Sequence, residues 1–218
     1  MRKIITIFLC GIMFLTGCAA HDNTPPKTAY IIPDDAVISP NGKLAVCQYI
    51  KEDLEDENGL LYSIYDVQLY DNEKYTMICT FHIVGKDFDF LWSPDSKYIT
   101  AAYHGRTWSD FSILDVRTHD KIGMQSIFDI MDSFKNMGEK FDYEINPDRP
   151  DPYVSPIEWS PDSTRILVSY QVKDTEYRTQ NGVFVYDYVN GVFTDLNQLS
   201  SSEDDNVDIK KPENFSWN

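Results

Sequence analysis

Three kinds of hydrophobic pattern divide the chain. The first is a continuous apolar run, residues 4–15, set behind Arg2 and Lys3 and too short to span a bilayer as a mature helix, which reads as a signal peptide. The second, from about residue 30 onward, is a series of short β-like apolar stretches punctuated by polar turns. The third interrupts this series at residues 126–158, where Ile127, Ile130, Met131, Phe134 and Met137 recur at helical spacing and predict a short amphipathic helix. The segment that follows, Asn146-Pro147-Asp148-Arg149-Pro150-Asp151-Pro152, excludes regular structure by its prolines.

The β-like series repeats. Trp92-Ser93-Pro94-Asp95-Ser96-Lys97-Tyr98-Ile99 and Trp159-Ser160-Pro161-Asp162-Ser163-Thr164-Arg165-Ile166 align with a third copy, Ile38-Ser39-Pro40-Asn41-Gly42-Lys43-Leu44-Ala45. Aligned on Pro40, Pro94 and Pro161, the copies place Tyr49, Tyr103 and Tyr170 at one position of the following stretch. Each motif is a tight turn in physical terms: proline presets φ, Asn41, Asp95 or Asp162 bonds local backbone, and Gly or Ser tolerates the dihedrals that follow. A second β-like segment with a central aspartate comes next, containing Asp66, Asp115 or Asp187, then another turn and a short strand. The pattern predicts four strands per repeat.

At these residues the sequence resembles the WD-like β-propeller repeats of the TolB family and of the propeller domains of prolyl oligopeptidase-type peptidases, whose blades carry Trp-Ser-Pro-Asp-Gly-Lys before an apolar strand. The resemblance implies an all-β, propeller-like array of about three four-stranded antiparallel blades, at residues 30–81, 88–126 and 156–196, with one short helical insertion at 126–158. Asp95-Ser96 and Asp162-Ser163 depart from Asp-Gly, and Ile38 replaces the tryptophan. Closed propellers have about four to eight blades, so the array is expected to be open or incomplete. Phe215-Ser216-Trp217 reads as the innermost strand of a fourth blade, covering the free edge. Closure by association with another chain and a small irregular barrel are the other arrangements the pattern allows.

The end of the first apolar run changes the picture. Leu15-Thr16-Gly17-Cys18 resembles the lipobox of bacterial lipoproteins. That resemblance implies removal of residues 1–17, acylation of Cys18, attachment to the bilayer through the acyl chains, and an extracytoplasmic location. Residues 18–29, with Pro25-Pro26, then read as a flexible tether. A formal net charge of −16 repels nucleic acid and excludes it as a partner. In such a compartment a disulfide is permitted. Cys47 and Cys79, however, fall on the second and fourth strands of one sheet, about 9–10 Å apart at normal strand spacing and beyond disulfide reach. Two free thiols are expected.

Catalytic patterns are sparse. No Gly-x-Ser-x-Gly occurs, and His21, His82, His104 and His119 are scattered without zinc-site spacing. Two acidic clusters, residues 52–59 and 203–208, raise calcium as a stabilising ion, but neither has the EF-hand spacing and solvated loops explain them better. The expected function is non-enzymatic: a membrane-anchored binding or scaffold module for another envelope protein, a peptide or a glycan, with no cofactor besides the covalent lipid on Cys18. The alternatives are a glycan-processing enzyme using carboxylates such as Asp148, Asp151 and Glu158, and a calcium-stabilised structural protein. Because binding concentrates on loops held by a rigid scaffold, the candidate contact residues are Asp148, Arg149, Asp151 and Tyr153 of the insertion.

Overall fold

The computed structural model describes residues 31–55, 61–83, 86–199 and 209–217. Among these residues twelve strands and one helix follow one another. Strands β1 (Val37–Ile38), β2 (Leu44–Glu55), β3 (Leu61–Asp71) and β4 (Thr76–Ile83) form a four-stranded antiparallel meander. β5 (Lys86–Trp92), β6 (Tyr98–His104), β7 (Ser109–Asp115) and β8 (Lys121–Gly123) repeat it, as do β9 (Tyr153–Trp159), β10 (Arg165–Lys173), β11 (Thr179–Asp187) and β12 (Val192–Gln198) after helix α1 (Ile127–Asn136). These are the three blades of an open, propeller-like all-β fold. The second and third are stitched into one sheet where Ser109 of β7 pairs in parallel with Tyr153 of β9.

Each blade begins with the same turn, built by the same atoms. Ser39, Ser93 and Ser160 donate their hydroxyls to the side-chain oxygens of Asn41, Asp95 and Asp162, over 2.9, 2.8 and 2.6 Å. Those hydroxyls accept from the amides of Leu44, Tyr98 and Arg165, which open the second strands. The third turn residue takes positive φ in every copy: +73° at Gly42, +60° at Ser96 and +60° at Ser163. The serines there also join blades. Asn41 N–H donates to Ser96 Oγ, and Asp95 N–H to Ser163 Oγ, each over 3.2 Å. The tryptophans do likewise, Trp92 Nε1 donating to the Val37 carbonyl (3.0 Å) and Trp159 Nε1 to that of Leu91 (3.1 Å). In the first repeat, which no other blade precedes among the described residues, Ile38 and Gly42 occupy the two positions that bridge blades in the later copies.

The equivalent aspartates differ from the sequence alignment. Register places Asp71, Asp115 and Asp187 opposite the first residues of β2, β6 and β10, at Leu44, Tyr98 and Arg165. Each carboxylate accepts from backbone amides of the following turn. Asp66 instead meets His82 Nδ1 at 2.6 Å. The first hairpin is longer, with a bulge between Ile50 and Glu52, and this shifts the spacing that the alignment relied on.

Two clusters separate the layers. Val46, Val67, Leu69 and Phe81 of the first blade pack on Phe88, Trp92, Ile99 and Leu114 of the second. Ala102, Phe111 and Ile113 of the second face Trp159, Ile166, Val168, Tyr170 and Phe184 of the third. Helix α1 joins this second layer through Ile127, Ile130, Met131 and Phe134, with Phe134 edge-on to Phe184 at 5.9 Å. Ser126 caps it by accepting the Asp129 N–H. The predicted apolar stripe runs one residue too far, since Met137 is the C-cap and is exposed.

The terminal strand expected at residues 214–217 is not a strand. Ile209, Phe215 and Trp217 lie on the outer face of the last blade, over Leu167, Val183 and Val185. They cover a face rather than an edge. Trp217 Nε1 nonetheless donates to Glu158 Oε1 over 2.7 Å. Glu158 precedes Trp159 as Leu91 precedes Trp92, so Trp217 reaches the residue that a following blade's tryptophan would reach. At the other end Ile32 and Ala36 lean on Ala45, Cys47 and Tyr70. Cys47 and Cys79 are free; Cys47 belongs to this outer cluster while Cys79 packs in the layer on the opposite side of the sheet. Burial pushes both thiols up to about 11, which makes them poor nucleophiles.

Candidate ligand cleft

A concavity forms where the insertion returns to the third blade. The β10–β11 hairpin closes around Asp174, whose side chain is wholly buried. Its Oδ1 accepts from the amides of Glu176 and Arg178, both at 2.9 Å. Its Oδ2 accepts from Arg178 Nε at 2.9 Å and Gln180 Nε2 at 2.7 Å. Burial alone would raise this carboxyl; the bonds from Gln180 and Arg178 outweigh it and hold Asp174 below the usual carboxylate range. One buried anion thereby fixes the guanidinium and the amide that project beside it.

The tail of the insertion supplies the facing wall. Gln198 Nε2 donates to the Lys140 carbonyl (2.8 Å), Thr175 N–H to Glu144 (3.0 Å) and Asn146 N–H to Lys173 (2.9 Å). Phe141 and Tyr143 meet edge to face at 5.5 Å, and the Tyr143 hydroxyl lies 3.3 Å from that of the buried Tyr170. Between the walls is an open cleft of about 670 Å³, lined by Lys140, Phe141, Asp142 and Tyr143 on one side and Arg178, Gln180, Gln198 and Leu199 on the other. It joins planar polar groups to aromatic surface. Asp142 is the one carboxylate among these lining residues, so no pair of opposed carboxyls spans it.

The four contact residues predicted from sequence are not in this cleft. Asp148, Arg149 and Asp151 belong to a strap tied down by its own backbone: Asn146 Oδ1 accepts from the amides of Asp148 and Arg149, both at 3.0 Å, and the Pro150 carbonyl accepts from Lys173 (2.8 Å). The Pro152 carbonyl accepts from Ser109 (2.9 Å), so the strap runs from the third blade to the second. Arg149 pairs with Asp151 at 3.2 Å on the surface. Tyr153 opens β9, opposite Gln171. Glu158 is held by Lys211 Nζ, at 2.9 and 2.8 Å, and by Trp217. Burial would raise its carboxyl, but the bonds from Lys211 and Trp217 hold it below the usual range.

Cys18 and the acidic cluster at 203–208 lie outside the described residues, and the cluster at 52–59 lies mostly outside them. Among the described residues no group of three or more His, Cys, Asp or Glu side chains is arranged to hold a metal ion.

No family model and no curated protein sequence matches the chain. Solved structures similar to it include TolB from Acinetobacter baumannii, 14% identical over 73% of this chain and 30% of that one, with a TM-score of 0.39. The dihydro-heme d1 dehydrogenase NirN is 12% identical over 78% of this chain and 38% of its own, with a TM-score of 0.41. The chain therefore spans between 30% and 38% of the length of these two. The fold described above rests on the strand order and the repeated turn.

Proposed function

We propose that the chain is an extracytoplasmic lipoprotein, anchored through Cys18, whose propeller-like domain binds an envelope glycan without catalysing its conversion. The observation that carries the reading is the cleft between residues 140–143 and the outer hairpin of the third blade. Its amides, its guanidinium and its aromatic pair are the groups that hydrogen-bond hydroxyls and stack on a sugar's apolar face. A hydrolytic reading would need a carboxyl held protonated beside a second one. Glu158, one of the three carboxylates the sequence offered for such a role, is instead held below the usual carboxylate range by Lys211 and Trp217, which supports binding over chemistry.

Two measurements test the two halves of the proposal. Phe141→Ala is expected to weaken binding of solubilised envelope polysaccharide by about 0.5–1.5 kcal/mol, the worth of one aromatic contact. Its thermal midpoint serves as a check on folding; unchanged affinity in a folded variant removes the cleft as the site. Cys18→Ser is expected to move the protein from the membrane fraction to the soluble one. Retention at the membrane after a high-salt wash rules out the lipid anchor.

A further inference from the structure

We propose that a second, smaller niche, between the second blade and the start of helix α1, takes a quaternary ammonium head group of the choline type. The niche has a volume of about 190 Å³, the scale of one head group rather than an oligomer. It opens along β7 where β8 has ended, at Gly123 opposite Ser112, and β9 has only just arrived, at Tyr153 opposite Ser109. Trp108 and Phe128 line it and keep 37% and 40% of their surface exposed, so both rings are reachable from solvent. Ile127, Pro152 and Val154 complete an apolar wall, and Asp110 is the one ionisable side chain among the lining residues.

The position of the Trp108 ring is built. The Trp108 indole lies on Gly105, where a Cβ would stand 2.1 Å from its Nε1, so only glycine permits the approach. Tyr103 meets the same indole edge to face at 5.9 Å. The carboxyl is built as well. Asp110 Oδ1 accepts the Phe111 N–H at 2.7 Å. Burial pushes its carboxyl up to about 6, opposed by the Phe111 amide and the Tyr103 hydroxyl.

Aromatic faces and a partly desolvated carboxylate are the combination that attracts an organic cation. The choice among cations follows from hydrogen bonding. Ser109 Oγ is engaged with the Val154 backbone, and Ser126 Oγ with Asp129. A primary ammonium entering here would bring three N–H donors that must all be satisfied, from Asp110, Gln125 and hydroxyls already engaged, whereas a trimethylammonium brings none. The positive end of α1, which shares the rim, carries its own counter-charge in Asp129.

Calorimetric titration of the full-length protein at pH 8 with choline, ethanolamine and the neutral isostere 3,3-dimethylbutan-1-ol tests the assignment. Choline is expected to bind saturably and at least about tenfold more tightly than either analogue. Phe128→Ala, an exposed position, should weaken choline by a similar factor, and Asp110→Asn should erase the preference over the isostere. Choline affinity should also fall as the pH drops through about 6 and Asp110 takes up its proton. Equal binding of choline and the isostere, or no saturation by choline, overturns the proposal. Binding to phosphatidylcholine vesicles beyond that to anionic vesicles would identify a lipid source; saturation by free choline alone would identify the free head group.

Discussion

Trp159→Ala lowers the unfolding free energy by about 3–5 kcal/mol, the range for emptying a buried aromatic site. The indole is 4% exposed and stacks on Tyr98 at 6.1 Å while meeting Tyr188 edge-on at 5.5 Å. It therefore ties the second strand of one blade to the far hairpin of the next. Truncation also leaves the Leu91 carbonyl without its inter-blade donor. Ile38 occupies the same register in the first blade but is 46% exposed. Ile38→Ala should accordingly cost under about 1 kcal/mol. Urea midpoints of the two variants check the pair; equal losses would mean that the tryptophan is packing filler and that the blades are not coupled through it.

Asp174→Ala is expected to cost about 2–4 kcal/mol at neutral pH, because four donors lose one buried acceptor and only the Arg178 head group has ready access to water. The effect carries a pH signature. A carboxyl whose folded pKa lies below its unfolded value stabilises the fold above that unfolded value, near 3.9, and the contribution is lost as pH falls through the folded pKa. The gap between wild type and variant should be constant above about pH 5 and shrink below about pH 4. A gap that widens in acid would show that Asp174 is not the ionised hub of the hairpin. Loss of the hub also frees Arg178 and Gln180, so glycan affinity should fall alongside stability.

The turns are legible in sequence because proline, an Asx side chain and a positive-φ residue act within five positions, where local chemistry decides the conformation. The helix is legible for a similar reason: its apolar residues recur on one face. What local reading misses is set by partners distant in sequence. Ser96 and Ser163 look like weakened glycine positions until the neighbouring turn is present to donate to them. Asp71 is overlooked in favour of Asp66 because the first hairpin has longer strands than the other two, which moves the equivalent position along the chain. The cleft joins residues near 140, 178 and 198 that share no motif, and Asp174, which organises it, reads as one acid among 35. The strap residues Asp148, Arg149 and Asp151 are accessible to reasoning about loops, whereas the bonds that tie their segment to Asn146, to Lys173 of the third blade and to Ser109 of the second are not, because those partners are set by the fold.

The serine hydroxyls that accept from the preceding turn give the array a direction. A turn amide in the first blade is satisfied by the second, and one in the second by the third, so each blade's entry hairpin is completed by its successor. In a ring such a relay would have no end. Among the described residues it has two, and of the three described blades only the middle one has neighbours on both sides, as in a short linear array. Fraying and amide exchange should be fastest at the outer sheets and slowest in β6 and β7. During synthesis the first blade emerges early yet waits for the second to complete its opening turn, so secure folding lags behind the chain by about one repeat.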